Sequence, residues 1–218
     1  MLAFSNDVDI LRCEAVLFSD LYFAWQVLCE GTGGAVSGTT FTASGADFVS
    51  AGVGAGGVIY LRTEDGTIDS TYEIVSVDSA TELTISILRS DDSESVVWAG
   101  QATDVSYRVS TFSPQANEVL FELTQYFGIR PGNPDSEYEV SDILDTDVLR
   151  RVSVCGVLAK VYATLSKGAD DDSYGQKSLH YQRLFEKARE RCRLSLDING
   201  DGVAERTNIG GSIRLVRD

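Results

Sequence analysis

The fold is decided by the stretch Tyr72-Glu73-Ile74-Val75-Ser76-Val77-Asp78-Ser79-Ala80-Thr81-Glu82-Leu83-Thr84-Ile85-Ser86-Ile87, in which two alternating apolar segments flank a short polar one. Apolar residues at every second position send one face of a β-strand to a core and the other to water. The side chains of Asp78-Ser79-Ala80-Thr81 are short, and several can bond to their own backbone. The stretch therefore predicts a β-hairpin.

Further strand patterns lie on both sides of this hairpin. Val58–Arg62 and Val105–Val109 have the same alternation, and Phe41 and Val96–Trp98 mark shorter candidates. Five or six short strands within about eighty residues are typical of a small barrel or sandwich. We therefore expect a β domain between Gly31 and Phe112.

The segments that flank this β domain have helical periodicity, with apolar residues at three- and four-residue steps. The helices predicted from this spacing are Val8–Leu28, Gln115–Phe127, one capped by Ser141-Asp142 and reaching Tyr162, and Tyr174–Ser195. The predicted fold class is α+β, an antiparallel α-helical bundle with an inserted small β-barrel or β-sandwich domain and an extended C-terminal arm. Its expected parts are a first bundle helix (1–30), the inserted β domain (31–112), the remaining bundle helices (113–196) and a C-terminal loop and arm (197–218).

The charge of the chain is uneven. The net charge is −15, and the segment Arg150–Asp218 holds 13 Lys and Arg against 9 Asp and Glu, leaving 5 basic and 24 acidic residues before it. Binding to nucleic acid by counterion release needs clustered cations, which an acidic body lacks. The chain has no apolar run near the roughly twenty residues of a membrane span and no signal-like N-terminus, so we expect a soluble protein that is not exported.

Residues with catalytic or metal-binding chemistry are sparse. The four cysteines form no Cys-x-x-Cys pair, and His180 is the only histidine, which argues against the common zinc and Ser-His-Asp sites. No combination of nucleophile, base and orienting group can be named. We therefore expect no catalytic residues, no cofactor and no enzymatic activity.

One loop has the spacing of a calcium site. Asp197, Asn199 and Asp201 alternate before Gly202, like the first half of an EF-hand loop. The twelfth position is Asn208, where an EF-hand has a bidentate glutamate. We therefore favour a hydrogen-bonded aspartate turn, with calcium bound by Asp197, Asn199, Asp201 and Glu205 as the alternative.

The C-terminus predicts surfaces for partners. A strand pattern follows a Gly-Gly pair, and nothing beside it in the sequence is expected to pair with it, so we interpret it as an arm that adds a strand to another protein's sheet. The arm consists of Ile209, Gly210, Gly211, Ile213, Arg214, Leu215, Val216 and Arg217. Cations of the last helix are candidate contacts with a ring neighbour or partner: Arg183, Lys187, Arg189, Arg191 and Arg193.

In its organisation the chain resembles the head-to-tail adaptor, or connector, proteins of tailed double-stranded DNA bacteriophages. The resemblance rests on the predicted helices, the β module, the corner Phe127-Gly128-Ile129, and the tail running from Asp197-Ile198-Asn199-Gly200-Asp201-Gly202-Val203-Ala204 to Arg214-Leu215-Val216-Arg217. It covers nearly the whole chain.

The resemblance implies a structural virion protein. It implies a homo-oligomeric ring of about twelve copies in the neck of the virion, made in the host cytoplasm, with side-to-side contacts between helices. The expected partners are the portal protein, which the C-terminal arm would bind, and a tail-side neck or tail-terminator protein. DNA would pass through the channel without sequence-specific binding, and no membrane is involved. The alternative function is a calcium-dependent surface binding module.

Overall fold

The computed structural model describes residues 3–20, 22–133, 136, 138–166 and 173–209. The chain divides into two compact units. The barrel unit is Asn6–Phe112, and the helical unit consists of residues 1–5 and 113–218.

The barrel unit is built on six antiparallel strands. They are β1 (Val27–Gly38), β2 (Thr40–Thr42), β3 (Val58–Arg62), β4 (Asp69–Val77), β5 (Glu82–Ser86) and β6 (Gly100–Ser110). Their order around the barrel is β1-β2-β5-β4-β3-β6, and β6 pairs back onto β1 to close it. The hairpin predicted from alternation is β4–β5, in which Ile74 lies opposite Ile85 and Val77 opposite Leu83.

Aromatic side chains fill the barrel core against two glycines of β1. The rings of Phe41, Phe48 and Tyr107 contact one another, with centroids 5.3, 5.9 and 6.2 Å apart. A Cβ atom at Gly31 would lie 2.7 Å from the Tyr107 hydroxyl oxygen, and one at Gly34 would lie 2.7 Å from the Phe41 ring. These glycines therefore make room for rings that lie across the strand.

The predicted first helix, Val8–Leu28, is wrong. The structure instead has two short helices, α1 (Asp7–Leu11) and α2 (Val16–Ser19), and a 3-10 turn before β1. Extended backbone at Asp20 ends α2, and the chain from Val27 onward pairs with β6. Tertiary pairing along this strand overrides the local helical periodicity, because helix propensity is worth only tenths of a kcal/mol per residue.

The predicted fold class, a helical bundle with an inserted β domain, is therefore wrong. Residues 6–30 belong to the same compact unit as the barrel strands. Within the described residues, no bundle helix precedes the barrel, so the barrel is not an insertion between bundle helices. In chain order, the closed barrel and its two short helices come before the three long helices.

Those helices are α3 (Ser113–Tyr126), α4 (Asp147–Leu165) and α5 (Ser173–Arg191). Helix α4 packs against both of the others. Gly156 of α4 makes room for both neighbours, because an added Cβ atom would lie 2.9 Å from Val119 Cγ1 and 3.0 Å from the Phe185 ring. The predicted cap Ser141-Asp142 is wrong, because these residues lie in a 3-10 turn and α4 begins at Asp147.

A two-stranded hairpin follows α5. It consists of β7 (Arg193–Leu196) and β8 (Arg206–Ile209), where the sequence predicted a helix that continued to Ser195. Leu194 and Leu196 are fully buried while Arg193 is exposed. Burial thus alternates with the two-residue period of a β-strand, and not with the period of the predicted helix. The predicted arm lies outside the described residues from position 210 onward. In the described ranges, no helix has both the length and the apolar character to cross a membrane.

Candidate functional site

The hairpin β7–β8 is joined to the helical unit by backbone hydrogen bonds. The amide of Leu144 donates to the Ser195 carbonyl over 3.0 Å, and the amide of Asp197 donates to the Asp142 carbonyl over 2.8 Å. These bonds use the edge of β7 that does not pair with β8. Asp142 and Leu144 directly precede α4, which begins at Asp147. The hairpin is therefore fixed in position relative to the start of α4.

Side chains reinforce this attachment. The guanidinium of Arg206 donates a hydrogen bond to the buried Tyr138 hydroxyl, and it lies 5.2 Å from the centre of that ring. Leu194 and Leu196 are buried on the same strand. Sequence reasoning missed this hairpin, although the alternation in Arg193-Leu194-Ser195-Leu196 is the signal that identifies it.

The loop that closes the hairpin, Asp197–Glu205, is organised by the carboxylate of Asp197. Its Oδ1 accepts hydrogen bonds from the amides of Gly200 over 2.7 Å and Asp201 over 3.2 Å, and its Oδ2 accepts one from Gly202 over 2.7 Å. These donors, Gly202 first among them, hold the pKa of Asp197 below its ordinary value. The loop is thus folded around an ionised aspartate.

Three carboxylates of this loop come together. Oxygens of Asp197, Asp201 and Glu205 all lie within 4.8 Å of one another, a grouping that suits a hard cation such as calcium. Asn199 Oδ1 accepts from the Asp201 amide over 2.9 Å, and Glu205 Oε2 accepts from the Ile198 amide over 2.7 Å. The four predicted residues are therefore neighbours, and each of these carboxylates also accepts bonds from the loop's own backbone or side chains.

The predicted arm begins differently from the expectation. Ile209 ends β8 and pairs with Arg193, so the expectation that nothing in the chain pairs with this segment is wrong at Ile209. The other arm residues, Gly210, Gly211, Ile213, Arg214, Leu215, Val216 and Arg217, lie outside the described residues. Of the strands that the structure describes, none pairs with the second edge of β8.

The five predicted cations have different environments. The guanidinium of Arg189 lies 4.1 Å from the centre of the Tyr126 ring and 5.1 Å from that of Phe185, so this residue packs within its own unit. Arg193 lies in β7 rather than on α5. The remaining three, Arg183, Lys187 and Arg191, are exposed on α5.

Two of these exposed cations line a groove between α4 and α5, which we call the cationic groove. It measures about 330 Å³ and is lined by Arg151, Cys155, Leu184, Lys187, Ala188 and Arg191. Within the part of the chain that the structure describes, none of its three cations forms an ion pair. Sequence reasoning missed Arg151 and Cys155 because only the pairing of α4 with α5 brings them to the groove.

Comparisons of the chain with protein-family models, with curated proteins and with solved structures find no match in any of the three. A function is therefore inferred from the chain's own residues.

Proposed function

We propose that this protein is a structural component of a tailed bacteriophage virion, an adaptor between the portal and the tail through which DNA passes. The observation that carries the proposal is the edge of β8 that no other described strand pairs with, at the end of an anchored hairpin. An edge strand offers its backbone N–H and C=O groups to a strand of another protein. The hairpin would present this edge to a partner in a fixed position.

The portal protein is the proposed partner of the C-terminal arm. Because Ile209 is paired within its own chain, the part that reaches the portal begins at Gly210. Ile213 and Leu215 share one face if the segment is extended. A tail-side neck or tail-terminator protein would bind at the opposite end of a ring of about twelve copies.

The charge distribution is compatible with a DNA channel. The segment before Arg150 holds 24 acidic and 5 basic residues. A surface of this kind repels the phosphates of a duplex, so DNA would slide past it without binding. The protein would be made in the host cytoplasm and would act in the neck of the virion.

Because the predicted first helix is wrong, it does not support the resemblance to the adaptor family. The described elements that support the resemblance are the three long helices, the corner Phe127-Gly128-Ile129 and the C-terminal hairpin. The barrel and its two short helices form a separate compact unit.

The test is native mass spectrometry of the complex formed with the portal protein of the same genome. Wild type should bind at one copy per portal subunit, whereas a variant lacking residues 210–218 should not bind. This deletion spares β8, and far-UV circular dichroism verifies that the variant is folded. Failure of the folded wild type to bind would refute the adaptor function.

Point variants separate strand addition from charge attraction. Ile213→Asp with Leu215→Asp should abolish binding, because both changes fall on the face proposed to be buried. Arg214→Ala removes a positive charge on the other face of the extended segment; it serves as the control and should keep most of the portal binding. Full binding by the aspartate variant would show that strand addition is the wrong mode.

A calcium-dependent surface binding module is the second candidate function. The observation that favours it is the grouping of the Asp197, Asp201 and Glu205 carboxylates. A specific site predicts that calcium raises the melting temperature of the wild type, because a ligand that binds only the folded state stabilises it. Asp201→Asn should abolish that rise, and equal effects of calcium and magnesium on both proteins would exclude this function.

A further inference from the structure

We propose that copies of this chain associate head to tail, with the cationic groove of one copy receiving an acidic face of α3 from the next copy. This acidic face consists of Glu118, Phe121 and Glu122. The inference rests on the proposed ring and specifies which two surfaces would close it.

The cationic groove suits a partner of particular chemistry. Its lining combines three exposed cations, Arg151, Lys187 and Arg191, with the less exposed side chains of Cys155, Leu184 and Ala188. The three cations have no carboxylate within ion-pairing distance among the described residues, although the chain as a whole carries a net charge of −15. A complementary surface would present carboxylates around one apolar side chain.

The acidic face of α3 has this composition. The side chain of Phe121 is 48% exposed. Glu118 precedes Phe121 by three residues and Glu122 by four, so it neighbours both of them on the helix surface. Their carboxylates lie 3.6 and 3.2 Å from the Lys160 ammonium. One ammonium cannot neutralise two carboxylates, so the face keeps a net negative charge around an exposed aromatic ring.

The two surfaces lie on opposite sides of α4. Lys160, which contacts the acidic face, is nine positions from Arg151 in the groove, and nine residues make about two and a half helical turns. Their side chains therefore leave α4 in opposite directions, and a copy cannot fill its own groove with its own acidic face. Two different surfaces that match between copies make a heterologous contact, which closes into a ring or continues as a filament.

Charge reversal on each surface tests this contact. The groove variant is Lys187→Glu with Arg191→Glu, and the face variant is Glu118→Lys with Glu122→Lys. Each variant alone places like charges on both of its surfaces. An equimolar mixture restores opposite charges at every contact between unlike copies, so only a groove-to-face contact predicts recovery on mixing.

Sedimentation velocity over a range of protein concentrations measures the association. Wild type should associate in a concentration-dependent way that weakens in high salt. Each variant alone should associate at least about tenfold more weakly, and their mixture should recover. Arg62→Glu, at an exposed cation of β3 in the barrel unit, is the control and should behave as wild type, with circular dichroism confirming that all variants fold.

The possible failures are distinguishable. Variants that associate as strongly as wild type would refute the assigned surfaces and leave the ring intact. A wild type that is monomeric at every concentration, or that associates only when duplex DNA is added, would refute this contact between copies. Neither result bears on portal binding, which the native mass spectrometry experiment measures separately.

Discussion

The stability of the barrel unit should depend on the protonation of Asp7, the first residue of α1. Its side chain is only 8% exposed, and its Oδ1 accepts a hydrogen bond from the Phe112 amide over 2.7 Å. Burial raises its pKa from 3.8 to about 6, against the opposing effect of hydrogen bonds from Phe112 and Thr111. The folded protein thus favours the protonated carboxyl group at a pH where the unfolded chain is ionised.

The sign and size of the effect follow from linkage. The stability that protonated Asp7 contributes is fully present below pH 3.8 and is lost as the pH rises through about 6. About two pH units at 1.36 kcal/mol each correspond to roughly 3 kcal/mol. Asp7→Asn keeps an acceptor for the Phe112 amide without the buried charge. As the pH rises from 3.8 to above about 6, the free energy of unfolding of the wild type should therefore fall by roughly 3 kcal/mol relative to that of this variant.

Urea unfolding followed by tryptophan fluorescence measures this difference. Trp25 and Trp98 are the only tryptophans, and both belong to the barrel unit, so their signal follows that unit. Exposed Asp104→Asn is the control that removes one negative charge elsewhere, and it should not change the pH dependence. If the difference in free energy of unfolding between wild type and Asp7→Asn stayed constant from about pH 3 to about pH 8, Asp7 would titrate like a solvated carboxyl group and the prediction would be wrong.

Two further predictions concern contacts in the interior of the two units. Gly156→Ala should lower the free energy of unfolding of the helical unit by about 1 to 3 kcal/mol. The new methyl group would lie 2.9 Å from Val119 Cγ1 and 3.0 Å from the Phe185 ring, so a raised melting temperature would show that helix propensity outweighs this crowding. Arg89→Met should lower the free energy of unfolding of the barrel unit by about 3 to 5 kcal/mol, because the buried Glu73 carboxylate would lose the guanidinium that lies 2.5 Å away. Urea unfolding at neutral pH measures this loss, and an unchanged unfolding midpoint would contradict the prediction.

Strand prediction succeeded where the apolar alternation is regular. The predicted Val58–Arg62 is β3, and the alternating stretches around Ile74, Leu83 and Tyr107 lie in β4, β5 and β6. In contrast, β1 was not predicted, because glycines interrupt its pattern and its pairing with β6 shifts register between Gly31 and Gly34 and again before Val36. Alternation is lost at such irregularities, whereas the pairing itself continues.

The part of the candidate site that could be predicted is the part whose residues lie close together in sequence. The carboxylates of Asp197 and Asp201 meet within one short loop, so their spacing in sequence was enough to group them. The cationic groove instead joins Arg151 of α4 to Lys187 of α5. No periodic pattern within a single helix specifies that neighbour, because it depends on how two helices pack.

The two units differ in what their strands can offer a partner. Every barrel strand has a neighbour on both sides, since β6 pairs with both β1 and β3 and so closes the sheet. A closed barrel leaves no edge for strand addition. Among the described strands, β8 has one edge without a strand partner, at the point where the chain continues to Gly210. If backbone pairing holds this protein to the portal, the contact therefore involves the C-terminal hairpin and arm, and charge changes on the barrel surface should leave the stoichiometry of the portal complex unchanged.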